Sequence, residues 1–304
     1  MNAFRFRVPL RRTLMLAGSS YSQREGVLLE RDGKWAEASP LPGFSGESIE
    51  DVIAAFRGER EAPPSLQFAL SSLDEPAIDE LEVPWNALLV GDEVSLLSSL
   101  EQAIDAGCRA VKLKVARQDL DRDIERVKAV AARLPQQMAL RLDANQAWTF
   151  AEAERFIRGI GDVDLEYLEE PLSDPSQLES LYAETGVRYA LDESLLAGQD
   201  VNQHYPNAAA LVCKPTILGG RAALDRLAKF GKPMIFSAAF ESGVGIARIV
   251  QLAADYSPSI PAGLDTLDWL SEDLLLDSPR KRGGMFCVSG EPMVSAGLLE
   301  RIEL

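Results

Sequence analysis

Histidine occurs once in this chain, as His204, and cysteine three times, as Cys108, Cys213 and Cys287. An odd, widely spaced set of thiols offers neither a disulfide framework nor the paired spacing of a zinc finger, and it points to a reducing cytoplasm. His204 lies in "NQHYPNAA", between a strand-end acid and a strand-end lysine, and reads as a helix or loop residue, not a catalytic base. Positive charge is also scarce: 31 Lys and Arg stand against 47 Asp and Glu, a formal charge of -16. That field disfavours nucleic acid or an anionic membrane as partner. A local lysine cluster or a bound cation can still reverse the potential in one cleft and admit a small anionic substrate. No apolar run approaches the roughly 18 residues that a bilayer demands, and no low-complexity tract suggests disorder. The start, "MNAFRFRVPLRRTLMLAGSS", has basic residues and a short apolar patch. Pro9 interrupts that patch and "RFRV" alternates as a strand does, so no signal peptide is expected. Net charge is silent on oligomeric state, and monomer and homo-oligomer are both compatible with it.

What is present changes texture near residue 90. Before it, "FRFRV" (4–8) and "GVLLERDGKWAEASPL" (26–41) alternate, with Asp32-Gly33 as a hairpin turn. "SGESIEDVIAAF" (45–56) follows with helical spacing and Ser45 or Ser48 as its cap. Residues 1–90 therefore read as a small α+β domain. In 91–265, short apolar runs alternate with helix-like segments: "CRAVKLKV" (108–115), "MALRLDA" (138–144), "VDLEYLEE" (163–170), "RYALDES" (188–194), "AALVCKP" (209–215) and "KPMIFSAA" (232–239). An earlier strand is expected at "LQFALS" (66–71) and a late one around "YSPSIPAGLD" (256–265). In 266–304, "MFCVSGEPMV" has a strand, turn and strand pattern and is expected to return to the first domain.

Charged residues close each run. Lys114, Asp143, Glu169, Asp192 and Lys214 recur at intervals of 29, 26, 23 and 22 residues, one βα unit each. A doubly wound sheet gathers ligands at one switch point. A closed barrel turns every strand end to a common mouth, which fits this series better.

Asp143, Glu169 or Glu170, and Asp192 or Glu193 offer three oxygen ligands with no cysteine or histidine among them, the donor set of a hard cation such as Mg²⁺. Alternation in "VDLEYLEE" gives a modest preference for Glu169 over Glu170. Arg141 shares a face with Asp143. Lys112 and Lys114 share a face too, and mutual repulsion with partial burial is expected to move them toward the range of a base at neutral pH. Lys214 should reach the same mouth, and Cys213 beside it should point away. A cation next to a substrate carboxylate, with a lysine to take the neighbouring proton, describes abstraction of an α proton.

The ordered motifs "KLK" (112–114), "LDAN" (142–145), "LEEP" (168–171), "LDES" (191–194) and "CKP" (213–215) resemble the enolase superfamily in its muconate-lactonizing subgroup, over about residues 90–265. The resemblance implies a modified (β/α)7β TIM-type barrel with an α+β capping domain made from the start of the chain and completed by its end. It implies Asp143, Glu169 and Asp192 as Mg²⁺ ligands, with Mn²⁺ as a substitute. Lys114 would be the general base and Lys214 the opposing lysine, with Lys112 supporting Lys114 and Arg141 setting substrate electrostatics. "EASPLPGFSGES" (37–48) and "GLDTLDWL" (263–270) resemble segments of bacterial members that dehydrate a small carboxylate substrate. Racemisation or epimerisation is the competing reaction, and a non-catalytic ligand-binding role is a third reading. The resemblance also favours "RRTLMLAGSSYSQREG" (11–26) as a flexible loop over the mouth. "FSAAFESGVG" (236–245) would line the pocket, with backbone N–H groups or Ser237 available to an anion.

Overall fold

Alternation in the first forty residues becomes three antiparallel strands, β1 (Asn2–Leu16), β2 (Ser19–Arg31) and β3 (Lys34–Ala38). The computed structural model describes residues 1–16 and 18–303. The chain folds as two compact units, the first made of 1–83, 213–229 and 236–304, the second of 84–212 and 230–235.

In the first unit, Asp32 and Gly33 both have positive φ (56° and 81°), the backbone that a two-residue hairpin turn requires. Helices α1 (Ile49–Phe56) and α2 (Pro64–Asp74) follow. Ser48 caps α1 in a capping box with Asp51. Val27, Leu29, Ala36 and Ala38 on one face of the sheet pack with Val52, Ile53, Leu66, Ala69 and Leu73 of these helices. The segment expected as an early strand at 66–71 is thus helical. Pro64 starts the helix, and Leu66, Ala69 and Leu73 repeat at three and four residues, a helical period that outweighs the short apolar run. The expected loop at 11–26 is instead a continuation of the β1–β2 ribbon, paired from Leu14↔Tyr21 to Leu16↔Ser19 beyond a register shift after Pro9. Its tip residue Ala17 lies outside the described residues.

The second unit holds most of a seven-stranded parallel sheet. Its strands are β5 (Asn86–Leu89), β6 (Ala110–Lys114), β7 (Ala139–Asp143), β8 (Tyr167–Glu169), β9 (Tyr189–Leu191), β10 (Ala208–Cys213) and β11 (Met234–Phe236), hydrogen-bonded in that order. The order never reverses, so there is no switch point, and the sheet curls in one sense as a modified (β/α)7β barrel. The helices that follow the strands are α3 (Glu93–Asp105), α4 (Leu120–Ala131), α5 (Phe150–Ile160), α6 (Leu178–Thr185) and α7 (Val201–His204) in the second unit, and α8 (Pro215–Leu218), α9 (Arg221–Ala228) and α10 (Gly243–Tyr256) in the first. Asp92, Asp119 and Thr149 cap α3, α4 and α5. The barrel's first strand is β5, not the segment at 66–71. Its late strand shrinks to a parallel bridge, Ser237↔Gly263, because Pro258 and Pro261 lie within the segment and remove ladder donors.

The last residues belong to the first unit. A strand at Glu80–Pro84 (β4) forms a three-stranded sheet with β12 (Arg280–Arg282) and β13 (Met285–Ser289). The partner of "MFCVS" is β12, across Gly283-Gly284, while Val294 only bridges Leu275. The final strand β14 (Leu299–Arg301) pairs with β1, Phe4 opposite Arg301.

Alternation in β3 turns Glu37 away from Ala36 and Ala38, onto the face where Phe6, Val8 and Leu28 meet Val244 of α10. There its carboxylate accepts the Ser242 and Gly245 amides (3.1 and 3.0 Å) and the hydroxyls of Ser242 and Ser39 (2.5 and 2.6 Å). A Cβ on Gly245 would lie 2.7 Å from Glu241 Cβ and 3.1 Å from Glu37 Oε2, so glycine is what allows the approach. Burial pushes the Glu37 carboxyl up, the serines pull it down, nearby Glu241 pushes it up again, and it settles near 7. Such a group keeps its proton longer when folded, so its contribution is complete below the ordinary carboxylate range and is lost as pH rises from about 4.5 to about 7. Wild type should lose roughly 3 kcal/mol across that window that Glu37→Gln does not lose. Urea unfolding at pH 5 and pH 7.5 measures it, and parallel losses in the two proteins would contradict it.

Candidate active site

Parallel pairing sets Lys112 beside Arg141 and Lys114 beside Asp143. It then sets Arg141 beside Tyr167 and Asp143 beside Glu169. Two rungs therefore cross β6, β7 and β8, and the period of two puts all six side chains on one side of the sheet. The upper rung, Lys114–Asp143–Glu169, closes the three strands at their carboxyl ends.

Opposite charges on these rungs satisfy one another. Lys112 Nζ lies 2.8 Å from Asp143 Oδ2 and 2.7 Å from Glu169 Oε1, bridging the two carboxylates. Lys114 Nζ donates to Asp143 Oδ2 at 2.6 Å and to Asn145 Oδ1 at 2.7 Å. Asp143 and Glu169 are buried; the Lys112 side chain is 12% exposed and that of Lys114 27%. Burial alone would raise the Asp143 pKa, but the two ammonium groups outweigh it and hold the carboxyl well below its ordinary range. Burial likewise would lower Lys112, yet Asp143, Glu169, Tyr167 and Asp192 raise it well above its ordinary value. The expectation that repulsion and burial lower Lys112 toward the range of a base at neutral pH is overturned there: two carboxylates lie within 2.8 Å of its charge.

Arg141 is fully buried, and its guanidinium donates to Glu166 Oε2 at 2.6 Å and Asn86 Oδ1 at 2.8 Å. Both partners sit at the starts of strands, so these bonds draw the group toward the amino ends of the sheet, with the Tyr167 ring 5.5 Å away. Asp192 follows β9, is buried, and acts on Lys112 through its charge. Its neighbour Glu193 accepts the Asn145 amide at 2.9 Å. Glu169 ends β8, whereas Glu170 turns into the following loop with φ 39°. Lys214 follows β10 and begins α8 in the first unit. His204 is the exposed last residue of α7, and Cys213 is buried at the end of β10.

Two features escaped the sequence reading. Asn145, inside "LDAN", joins Lys114, Arg117 and Glu193; its place two residues after a strand-end carboxylate was the available signal. Most amides of 236–245, expected to face an anion, already have acceptors. Ser237, Ala238 and Ala239 donate to Cys213, Gly263 and Glu241. Ser242 and Gly245 donate to Glu37, and Gly243 to Asp273.

Among the described residues, no three carboxylate, thiol or imidazole groups stand close enough to enclose a cation as they are placed. The chemistry of the donor set nevertheless fits one. Asp143, Glu169 and Asp192 are all oxygen donors, all buried, at three successive strand ends, with lysine ammonium groups beside Asp143 and Glu169.

The family model described as enolase C-terminal domain-like matches residues 95–295. The o-succinylbenzoate synthase of Citrobacter koseri is 30% identical, over 98% of this chain and 98% of its own. That of Pectobacterium atrosepticum is 29% identical over 90% and 91%. A crystal structure of o-succinylbenzoate synthase from Thermosynechococcus elongatus, complexed with Mg in the active site, superposes with a TM-score of 0.76 at 26% identity, covering 91% of this chain and 97% of that one. The L-Ala-D/L-Glu epimerase of Bacillus subtilis, at 20% identity and a TM-score of 0.79, covers 95% of this chain and 96% of its own and shares the fold.

Because Lys112 bridges two buried carboxylates, Lys112→Met should cost about 3–5 kcal/mol, the range for leaving a buried charge unpaired. Lys114→Met, at a more exposed amine that leaves Lys112 in place, should cost less. Urea unfolding in EDTA distinguishes them, and equal losses would show that Lys112 is not the main compensating charge.

Proposed function

Since this chain belongs to the enolase superfamily, we propose that it is an o-succinylbenzoate synthase, removing water from 2-succinyl-6-hydroxy-2,4-cyclohexadiene-1-carboxylate to give 2-succinylbenzoate in menaquinone biosynthesis. The observation that carries the reading is the Lys114–Asp143–Glu169 rung. Similarity to synthases along nearly the whole chain supports the substrate.

Asp143, Glu169 and Asp192 would hold a divalent cation, Mg²⁺ or Mn²⁺. Bound there, the cation supplies Lewis-acid stabilisation of negative charge on the substrate carboxylate. Lys112, clamped between two carboxylates and held protonated by them, is unsuited to accept a proton. Lys114 is the more exposed of the pair, and bonds to Asp143 and Asn145 fix its amine. As the neutral amine, it takes the proton from the carbon bearing the ring carboxylate and becomes the ammonium, and the C–H electron pair moves into that carboxylate. The pair then returns to form the ring double bond as the C–O bond breaks. Hydroxide leaves with the proton from the Lys114 ammonium, as water, and the ring becomes aromatic. Lys214 would have the part that the family resemblance gives it, stabilising the negative charge without transferring a proton. Arg141, tied to Glu166 and Asn86, sets the field beneath the rung.

Lys114→Ala should lower turnover about 10²–10⁴-fold, the usual contribution of a general base, while Mn²⁺ binding persists. Near-normal turnover would reject the assignment. Chelation should abolish activity and Mg²⁺ restore it. Incubating an N-succinylamino acid in D₂O tests the competing racemase reading: deuterium in both enantiomers, lost in Lys214→Ala, would establish Lys214 as a second proton carrier.

A further inference from the structure

Glu170, the second acid of "LEEP", is buried and has no part in the rung. It accepts four hydrogen bonds from the loops on either side. Oε1 takes the Asp192 amide at 2.7 Å and the Ser194 amide at 2.8 Å. Oε2 takes the Ser194 hydroxyl and the Gln146 side-chain amide, both at 2.8 Å. Those four donors fill the acceptor sites of a carboxylate. The main chain repeats the connection, with Glu170 N–H donating to Ala190 O at 3.1 Å and Gln146 N–H to Glu170 O at 2.7 Å.

The backbone here is strained. Asn145, Gln146 and Glu170 have φ of 45°, 56° and 39°, a region that residues with a Cβ adopt at a cost. All three lie directly after β7 or β8, and Glu170 links the turn after β7 to the turn after β9. A cap for the 193–197 turn would need only the two backbone amides. The Gln146 bond and the unfavourable φ are extra, and both serve to hold the two loops at a fixed separation.

We propose that Glu170 is a positioning residue for the cation site: by fixing the backbone at Asp192 and Ser194 against the turn after Asp143, it sets where the Asp192 carboxylate stands relative to Asp143 and Glu169. This rests on those three carboxylates being the ligands. Glu170 acts through hydrogen-bond reach, and its negative charge is secondary. An amide at the same length keeps an oxygen for the two backbone N–H groups, and Ser194 and Gln146 can each reorient to accept from its NH₂.

Mn²⁺ affinity of the full chain, followed by electron paramagnetic resonance of the free ion, tests this, with near-ultraviolet circular dichroism of the metal-free proteins to report folding. Asp192→Asn should weaken binding at least tenfold, and wild-type affinity in it would overturn the ligand reading together with the proposal. Glu170→Ala should weaken binding about 10–100-fold, the usual effect of losing a group that orients a ligand, with an unchanged metal-free spectrum. Glu170→Gln should stay within about threefold of wild type, as hydrogen-bond equivalence requires. If Asp192→Asn is impaired while Glu170→Ala binds like wild type, the positioning role alone is overturned. A loss in Glu170→Gln equal to that in Glu170→Ala would also overturn it, since charge would then be what counts. Should Glu170→Ala not fold, Glu170→Asp carries the test: its shorter side chain cannot span both loops, and wild-type affinity in it would refute the proposal.

Discussion

Two ammonium groups held against two carboxylates across three parallel strands are the interaction on which the second unit's chemistry depends. Each of these charges alone would pay several kcal/mol for leaving water. Together Lys112 joins Asp143 to Glu169 and Lys114 joins Asp143 to Asn145, so each charge removes the penalty of another. The arrangement also restricts pairing. A slip of one residue between β6 and β7 would turn Lys112 and Lys114 to the opposite side from Asp143, leaving two buried carboxylates without the lysines that pair with them. Register in this part of the barrel is therefore specified by electrostatics as well as by the packing of Val111, Leu113, Leu140 and Leu142.

The strand-end residues were legible because their spacing reflects a geometric repeat. A βα unit consumes a nearly constant length, so polar residues that must share a mouth recur at similar intervals, and all six runs named from 108 onward contain strands. The cap at Ser48, one of two serines offered for it, was legible for a local reason: it bonds a residue three positions on. What was hidden depends on partners distant in sequence. "LQFALS" alone is too short for its period to separate strand from helix; the helical repeat emerges once Pro64 before it and Leu73 beyond it are included, and Val27 and Leu29 opposite receive that face. The polar ribbon at 11–26 looks like a loop until its cross-strand partners are known. The Lys112 environment was misjudged because the adjacent lysine is visible in sequence, while Glu169, 57 residues away, is not visibly adjacent. The same limit hid the use of the Ser242 and Gly245 amides by Glu37, more than two hundred residues earlier.

Strain is distributed unevenly. Three non-glycine residues with positive φ follow β7 and β8, each at a cost of about 1–3 kcal/mol that the surrounding bonds must offset. Main-chain and side-chain hydrogen bonds among Asn145, Gln146, Glu170 and Ser194 supply that offset. The rung is thus followed directly by its stiffest turns. Rigid turns suit a site that must hold several carboxylates at fixed separations, because each carboxylate left to itself would rotate away from its neighbours.

The carboxylate of Glu37 has a consequence for how such chains recombine. It belongs to the third strand of the opening sheet, but its partners at Ser242 and Gly245 open a helix more than two hundred residues later. Gly245 is small because Glu37 and Glu241 leave no room for a side chain. An exchange of the first eighty-three residues between two relatives, cut where the opening segment of the first unit ends, would separate this acid from the amides that accommodate it. The inherited module is discontinuous: the opening sheet and the amino end of α10 form one piece in space, and a functional chimera has to take both.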